Sequence, residues 1–296
     1  MSIIPDPQLW AVDPDHLRAL RRRHAEQAFA ASQYDRALAE AEELLTATPD
    51  DAEAIWVTAR AALHVGDACM AEAAIRQLLT LPEARQPASP VQLLSHLSLA
   101  VFLQADFATA SELARRAIQY DDQSPMAWLH LALGEERLGH SAGAKAALIH
   151  AATLSPTGVP RSGDDLPPPT WARILSAAMM HLSEDEQAIL TPLEVAWEWF
   201  PEAELLRSVS PPISPFIEVL ISGEAEAEAE DADDTEDEPD PLLQLLPKAR
   251  RVALYRGNLL RGTPSTSDLV DRLALSLRSE LAAWLGIAFE DLAEPE

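Results

Sequence analysis

Four segments in the N-terminal half align without gaps, and their spacing constrains the fold more than any other feature of this chain. They are SQYDRALAEAEELL, GDACMAEAAIRQLL, ADFATASELARRAI and GHSAGAKAALIHAA. The first residue of each segment is small: Ser32, Gly66, Ala105 and Gly139. The sixth residue is always alanine: Ala37, Ala71, Ala110 and Ala144. These alanines are 34, 39 and 34 residues apart, and the longer step contains the loop PEARQPASP at 82–90.

A recurring alanine of this kind predicts pairs of antiparallel helices, because helices approach closely only where a small side chain lies at the crossing. The small residue before it allows the chain to turn between the two helices. A proline follows the second helix as Pro49, Pro82 or Pro156 and would end it. One pair cannot bury its own apolar face, so the units are expected to stack into a superhelix.

The period and these positions resemble the tetratricopeptide repeat family over about residues 18–158. The fourth unit is the most similar, and the first departs from the pattern at Arg21 and His24, where apolar residues are usual. The matching residues of the fourth unit are Trp128, Leu131, Gly139, Ala144, Ala151 and Pro156. The resemblance implies a superhelix over 1–158, with repeats at 18–51, 52–85, 91–124 and 125–158.

The same resemblance implies that the first helices of the pairs line a concave groove for a protein or peptide partner. For any single groove residue the alternative is packing against a neighbouring helix or domain. Carried over by position, the groove residues are Arg22, Glu26, Trp56, Arg60, Ser95, Leu99, Phe102, Leu129 and Leu133.

Charge and composition limit the other classes of partner. The net charge of −26 opposes binding to nucleic acid and to anionic membrane surfaces. The chain has one cysteine, Cys69, and its first residues lack the pattern of a signal peptide. No apolar run approaches the roughly 18 residues that a transmembrane helix needs. We therefore expect a soluble, cytoplasmic protein.

The middle of the chain contains a break and a strongly acidic run. Three consecutive prolines in GVPRSGDDLPPP predict a linker, followed by a packing helix, over 159–182. Helices are predicted over 170–182 and 184–200, and strands over 215–221 and 249–257. The segment GEAEAEAEDADDTEDEPDP has 11 acidic residues and no basic one, which predicts a disordered loop over 223–238. Its role would be solubility or, alternatively, attraction of a basic partner.

The segment TPSTSDLVDRLALSLRSELAAWLG predicts a helix with clear ends. Ser265 can cap its N-terminus, and Gly286 stands where a C-terminal cap belongs. Zinc hydrolases use the spacing HExxH on such a helix, because residues i and i+4 lie side by side and can bind one ion. The intervening glutamate acts as the base for the metal-bound water.

The C-terminal part resembles the short bacterial zincin-type metallopeptidase family over about residues 185–292. The similarity is carried by EDEPDPLLQLLPKARRVALYRGNLL and by SELAAWLGIAFEDL. The family motif places its first histidine on Ser279, its glutamate on Glu280 and its second histidine on Ala283. Its glycine falls on Gly286 and its third ligand on Phe289.

The resemblance therefore implies a zincin-like domain over 183–296 that retains the glutamate and the glycine but has lost all three zinc ligands. After His181 the chain contains no histidine or cysteine, so no zinc cofactor is expected. The predicted fold is mainly α, with a tetratricopeptide α-solenoid followed by a small α+β zincin-like domain. The predicted function is a non-catalytic scaffold with a pseudoenzyme domain.

Two alternatives remain open at this point. The chain could be a metallopeptidase-like hydrolase with an atypical site, built from Ser279, Glu280, Glu290, Asp291 and a repeat-side residue such as His181. Alternatively, the C-terminal segment could match the zincin family in fold only and serve as a cap on the superhelix.

Overall fold

The computed structural model describes residues 14–156, 165–223, 249–263 and 265–289 of the chain. The chain divides into two compact units. The first comprises Met1–Val159 together with Arg207–Pro212, and the second comprises Pro160–Leu206 together with Ile213–Glu296.

The first unit contains eight helices in four consecutive pairs within residues 14–156, and each helix packs on the next along the chain. This is a tetratricopeptide-like helical repeat. The helices are α1 (Pro14–Ala30), α2 (Tyr34–Ala47), α3 (Ala52–Val65), α4 (Ala68–Thr80), α5 (Pro90–Leu103), α6 (Phe107–Tyr120), α7 (Pro125–Arg137) and α8 (Ser141–Leu154).

The turn inside each pair has the same backbone conformation. The predicted small residues Ser32, Gly66, Ala105 and Gly139 have φ angles of 58°, 87°, 60° and 77°, all in the left-handed region. This conformation is easy for glycine and costly for residues with a Cβ atom. The prediction that these four positions turn the chain is confirmed.

The recurring alanines lie inside the helix pairs. Ala37, Ala71, Ala110 and Ala144 are all buried, as expected for a helix crossing. α2, α4 and α8 each end two residues before the proline predicted to stop them. The longer step between the second and third repeats contains a short 3₁₀ helix, Glu83–Arg85, and a capping box in which Ser89 and Gln92 start α5.

In its described part, the second unit combines helices with a sheet of three strands. Its elements are α9 (Pro168–Met179), α10 (Glu184–Leu190), β1 (Glu194–Glu198), α11 (Ala203–Leu206), β2 (Val219–Gly223), β3 (Ala249–Tyr255), α12 (Arg256–Leu260) and α13 (Thr266–Leu285). The strand order is β1-β3-β2, with β1 parallel and β2 antiparallel to β3.

The core of this unit lies between the sheet and the helices α9 and α13. α13 contributes an apolar stripe whose members Leu269, Leu273, Leu277 and Leu281 are buried. α9 contributes Trp171, Ile174 and Ala178 to the same core. α9 therefore belongs to the second unit, which begins at Pro160.

Two element predictions differ from the structure. Residues 194–198 were predicted to continue a helix from 184 but form strand β1, because Val195 pairs with Val252 and Trp197 with Leu254 of β3. The predicted strand 215–221 begins only at Val219. The carbonyls of Pro215 and Ile217 accept hydrogen bonds from the Asn258 side chain instead of from a strand.

The predicted acidic loop over 223–238 lies outside the described residues, apart from Gly223 at the end of β2. Within the described ranges, no helix is both long enough and apolar enough to cross a membrane.

Candidate functional site

The predicted groove residues form two rows across the first helices of the four pairs, α1, α3, α5 and α7, which we call the groove helices. The members of each row occupy equivalent repeat positions, and the rows are one helical turn apart. The first row is Arg22, Trp56, Ser95 and Leu129, and the second is Glu26, Arg60, Leu99 and Leu133. Phe102 lies nearly one turn further along α5.

Arg22 joins the first repeat to the second through a buried carboxylate. Its Nε and a terminal nitrogen lie 2.8 and 2.7 Å from Oδ2 of Asp51, whose side chain is 1% exposed. The other carboxylate oxygen of Asp51 accepts a hydrogen bond from the N–H of Ala54 at the start of α3. The bond to Asp51 raises the pKa of Arg22 above its ordinary value. Asp51 thus fixes both the Arg22 head group and the N-terminus of α3.

Arg60 joins the same two repeats one turn further along the groove helices. A terminal nitrogen donates to Glu26 over 2.6 Å. The guanidinium carbon lies 4.3 Å from the ring centroid of Phe29 and 5.2 Å from that of Trp56. A cation over aromatic faces is electrostatically stabilised. The charges at this end of the groove are therefore compensated within the protein.

The rows become apolar towards α5 and α7. Leu99 and Leu129 are half-buried and retain accessible surface. Of the predicted groove residues, Trp56, Ser95, Phe102 and Leu133 are buried instead. The accessible groove residues are Arg22, Glu26, Arg60, Leu99 and Leu129.

Two histidines beside the rows were not among the predicted site residues. His96 and His130 occupy equivalent positions on α5 and α7, 34 residues apart. The ring of His96 lies 4.9 Å from that of Trp56 on α3, and its Nδ1 lies 2.8 Å from the carbonyl oxygen of Gln92. The repeat period could have indicated these two histidines, because they are separated by one period. Each histidine considered alone gives no such indication.

His130 is the more enclosed of the two. It is 6% exposed, and within the described part of the chain its Nδ1 has no hydrogen-bond partner. Burial lowers the pKa of His130 to about 4, with a smaller contribution from His96. Burial also lowers the pKa of His96. Both rings are therefore neutral at pH 7.

The second candidate site is the segment of α13 for which the sequence predicts a resemblance to the zincin motif. Ser265 accepts a hydrogen bond from the N–H of Asp268, and Gly286 ends the helix with a φ of 66°. Both predicted helix ends are thus confirmed. Ser279 and Ala283, on which the predicted resemblance places the two motif histidines, are exposed.

The remaining motif position, Phe289, is also exposed, and its ring centroid lies 5.4 Å from the guanidinium carbon of Arg278. Among the residues that the structure describes, no group of three or more histidine, cysteine, aspartate or glutamate side chains could hold a metal ion.

The retained glutamate contacts the sheet. Oε1 of Glu280 accepts a hydrogen bond from the N–H of Ile221 on β2 over 3.0 Å. Burial raises the pKa of Glu280, although the bond from Ile221 acts in the opposite direction. One and two turns earlier on α13, Ser276 and Arg272 donate to the carboxylate of Glu218, just before β2, over 2.5 and 2.6 Å. The three α13 side chains therefore connect one face of the helix to β2 and to the residue before it.

Of the residues suggested for an atypical hydrolase, His181 contacts Asp271, which is not one of that set. Nδ1 of His181 lies 3.4 Å from a carboxylate oxygen of Asp271, and both side chains are exposed. Asp271 precedes Ser279 by eight residues on α13, which corresponds to roughly 12 Å along the helix axis. The other two suggested residues, Glu290 and Asp291, lie outside the described residues.

Comparison with known proteins finds no matching family model and no matching curated protein. Solved structures similar to part of the chain include MamA, with 17% identity over 45% of this chain and 74% of that one, and a TM-score of 0.40. TTC0263, a thermophilic TPR protein of Thermus thermophilus, has 26% identity over 47% and 75%, with a TM-score of 0.40. PilW, a type IV pilus biogenesis factor, has 15% identity over 49% and 80%, with a TM-score of 0.34. The repeat fold is assigned from the helix pairs themselves.

Proposed function

We propose that this chain is a non-catalytic interaction protein whose groove helices bind a segment of a protein partner. The observation that most supports the proposal is that the side chains of the two rows change from charged to apolar between α1 and α7. Ion pairs occupy the α1–α3 end, whereas half-buried leucines, Leu99 and Leu129, occupy the α5–α7 end. A segment with polar groups at one end and apolar side chains at the other would complement this surface.

Peptide display on the full-length protein, followed by affinity measurement on a selected peptide, tests the proposal. Leu129→Asp places a charge in the apolar end of the groove and should weaken binding at least tenfold. The matched control is Ile149→Asp on α8, which is not a groove helix; Ile149 is 59% exposed. Equal losses in both variants, or no loss in Leu129→Asp, would refute groove binding.

We further propose that the second unit is a zincin-like domain without a zinc site, and therefore a pseudoenzyme. Two observations support it. The side chains at positions 279 and 283 offer no imidazole, and the carboxylate of Glu280 is already engaged by Ile221. A glutamate that accepts a hydrogen bond from a strand has a structural role that does not require catalysis.

Elemental mass spectrometry of the purified protein, with zinc titration of the metal-free form, tests this second proposal. The wild-type chain should hold no stoichiometric zinc. The double variant Ser279→His/Ala283→His serves as a positive control, because histidines at i and i+4 on one helix can share an ion. One tightly bound zinc per wild-type chain would overturn the pseudoenzyme assignment and favour the hydrolase.

A further inference from the structure

His96 and His130 lie where successive groove helices meet. His96 on α5 contacts Trp56 of α3, edge to face. His130 on α7 lies near His96 and the backbone of Ser95, and α5 and α7 pack against each other. One histidine therefore stands at each of the two junctions that join the second repeat to the third and the third to the fourth.

Beyond burial, Arg60 and His64 on α3 also lower the pKa of His96. His96 in turn lowers the pKa of His130. The carboxylate of Glu26 on α1 bonds to the Arg60 guanidinium. Glu135 on α7 bonds to Arg115 and His140.

A proton added to either ring would therefore be poorly compensated. For half-buried His96 the imidazolium would lie near the Arg60 guanidinium. For His130 it would lie among packed helices, where charge is costly to bury. A proton added at Nδ1 of His130 would create an N–H without an acceptor within the described residues. The hydrogen bond with the backbone of Ser95 acts in the opposite direction, but burial outweighs it.

We propose that His96 and His130 form an acid-sensitive switch, in which protonation loosens the α3–α5 and α5–α7 junctions and opens the groove. The proposal concerns the repeats alone and does not depend on the partner proposed above.

The direction follows from proton linkage. A histidine with a lowered pKa in the folded state binds its proton more readily once the junction opens. The folded state is therefore unaffected at neutral pH. It loses stability as the pH falls from the ordinary histidine pKa of roughly 6.5 towards the value of about 4 for His130.

Amide hydrogen exchange of the full-length chain at pH 7.5 and 5.0, corrected for intrinsic exchange rates, measures the opening. His130 alone should raise the opening equilibrium of α5 and α7 by about thirtyfold between these two values. In His130→Gln, whose side chain stays neutral, this acid-dependent gain should largely disappear. It should persist in His150→Gln, which changes an exposed histidine on α8.

Equal acid-dependent opening in the wild type and both variants would overturn the switch. If His130→Gln does not fold at pH 7.5, NMR titration of the wild-type histidines decides the question. Of the eight histidine signals, that of His130 should titrate at about pH 4 and that of His96 below its ordinary pKa. If all eight titrate near 6.5, there is no switch.

Discussion

The carboxylate of Glu280 on α13 accepts a hydrogen bond from the N–H of Ile221 on β2. Among the described strands, β2 lies at one edge of the sheet, beside β3. The backbone of an edge strand can pair with another chain. The bond to Glu280 occupies one backbone group of this strand, which gives Glu280 a structural role.

Replacement of Glu280 by alanine should destabilise the protein by about 1–3 kcal/mol, because the buried N–H of Ile221 loses its acceptor. Glu280→Gln keeps an acceptor oxygen and should be at least as stable as the wild type at pH 7. Burial raises the pKa of Glu280, so the wild type bears a cost for ionisation that glutamine avoids. That cost is absent once the carboxyl is protonated, so the advantage of glutamine should vanish towards pH 4.

Urea denaturation at pH 7 and pH 4 measures these changes, with Ser279→Ala as the control. Ser279 is the exposed neighbour of Glu280 on α13, and its replacement should leave stability unchanged. A Glu280→Ala variant as stable as the wild type would contradict the structural role.

A second prediction concerns the turns between paired helices, because glycine occupies only two of the four equivalent positions. Ser32 has a φ of 58° and is exposed, so Ser32→Gly should relieve backbone strain and stabilise the protein by about 0.5–1 kcal/mol. Gly66 has a φ of 87°, and Gly66→Ala should cost about 1 kcal/mol even though no atom lies within 4 Å of the added Cβ. Thermal unfolding of the two variants should therefore shift in opposite directions; shifts of the same sign would contradict the shared turn conformation.

A third prediction concerns Gly257, which is closely packed. A Cβ at this position would lie 2.3 Å from a ring atom of Phe200 and 2.9 Å from the carbonyl oxygen of Trp199. Gly257→Ala should therefore cost about 1–3 kcal/mol through overpacking. Gly143→Ala on α8 is the control, because its nearest neighbour is the end of the Glu135 side chain at 3.0 Å and alanine favours the helix. Urea denaturation that finds the two substitutions equally tolerated would refute the packing argument.

Repetition made the first unit largely predictable. Four copies of a turn residue and a crossing alanine reinforce one another, so Ser32 and Ala105 could be placed in turns although neither is glycine. The C-terminal unit offers no such redundancy. Trp197 and its neighbours were misassigned to a helix because the strand they form depends on pairing with β3, which follows much later in the chain.

The candidate sites show the same limit. Position in the repeat placed the predicted groove residues on α1, α3, α5 and α7, yet it could not distinguish accessible Leu129 from buried Leu133 on the same helix. The motif comparison identified Glu280, but its bond to Ile221 required the three-dimensional structure. Burial and long-range hydrogen bonds depend on contacts between distant segments, which a pattern in one sequence does not specify.

The last prediction concerns the ion pair between Arg22 and Asp51. Asp51→Ala removes both the partner of Arg22 and the N-terminal cap of α3, so it should cost about 2–3 kcal/mol. Arg22→Ala leaves a buried carboxylate without its cation and should cost about 1–3 kcal/mol. The double variant should be less destabilised than the sum of the two single variants, because each single change already breaks the same bond. A double-mutant cycle by urea denaturation measures the coupling. Strict additivity would show that the pair contributes nothing to joining the first two repeats, and Arg22 would then be available to a partner.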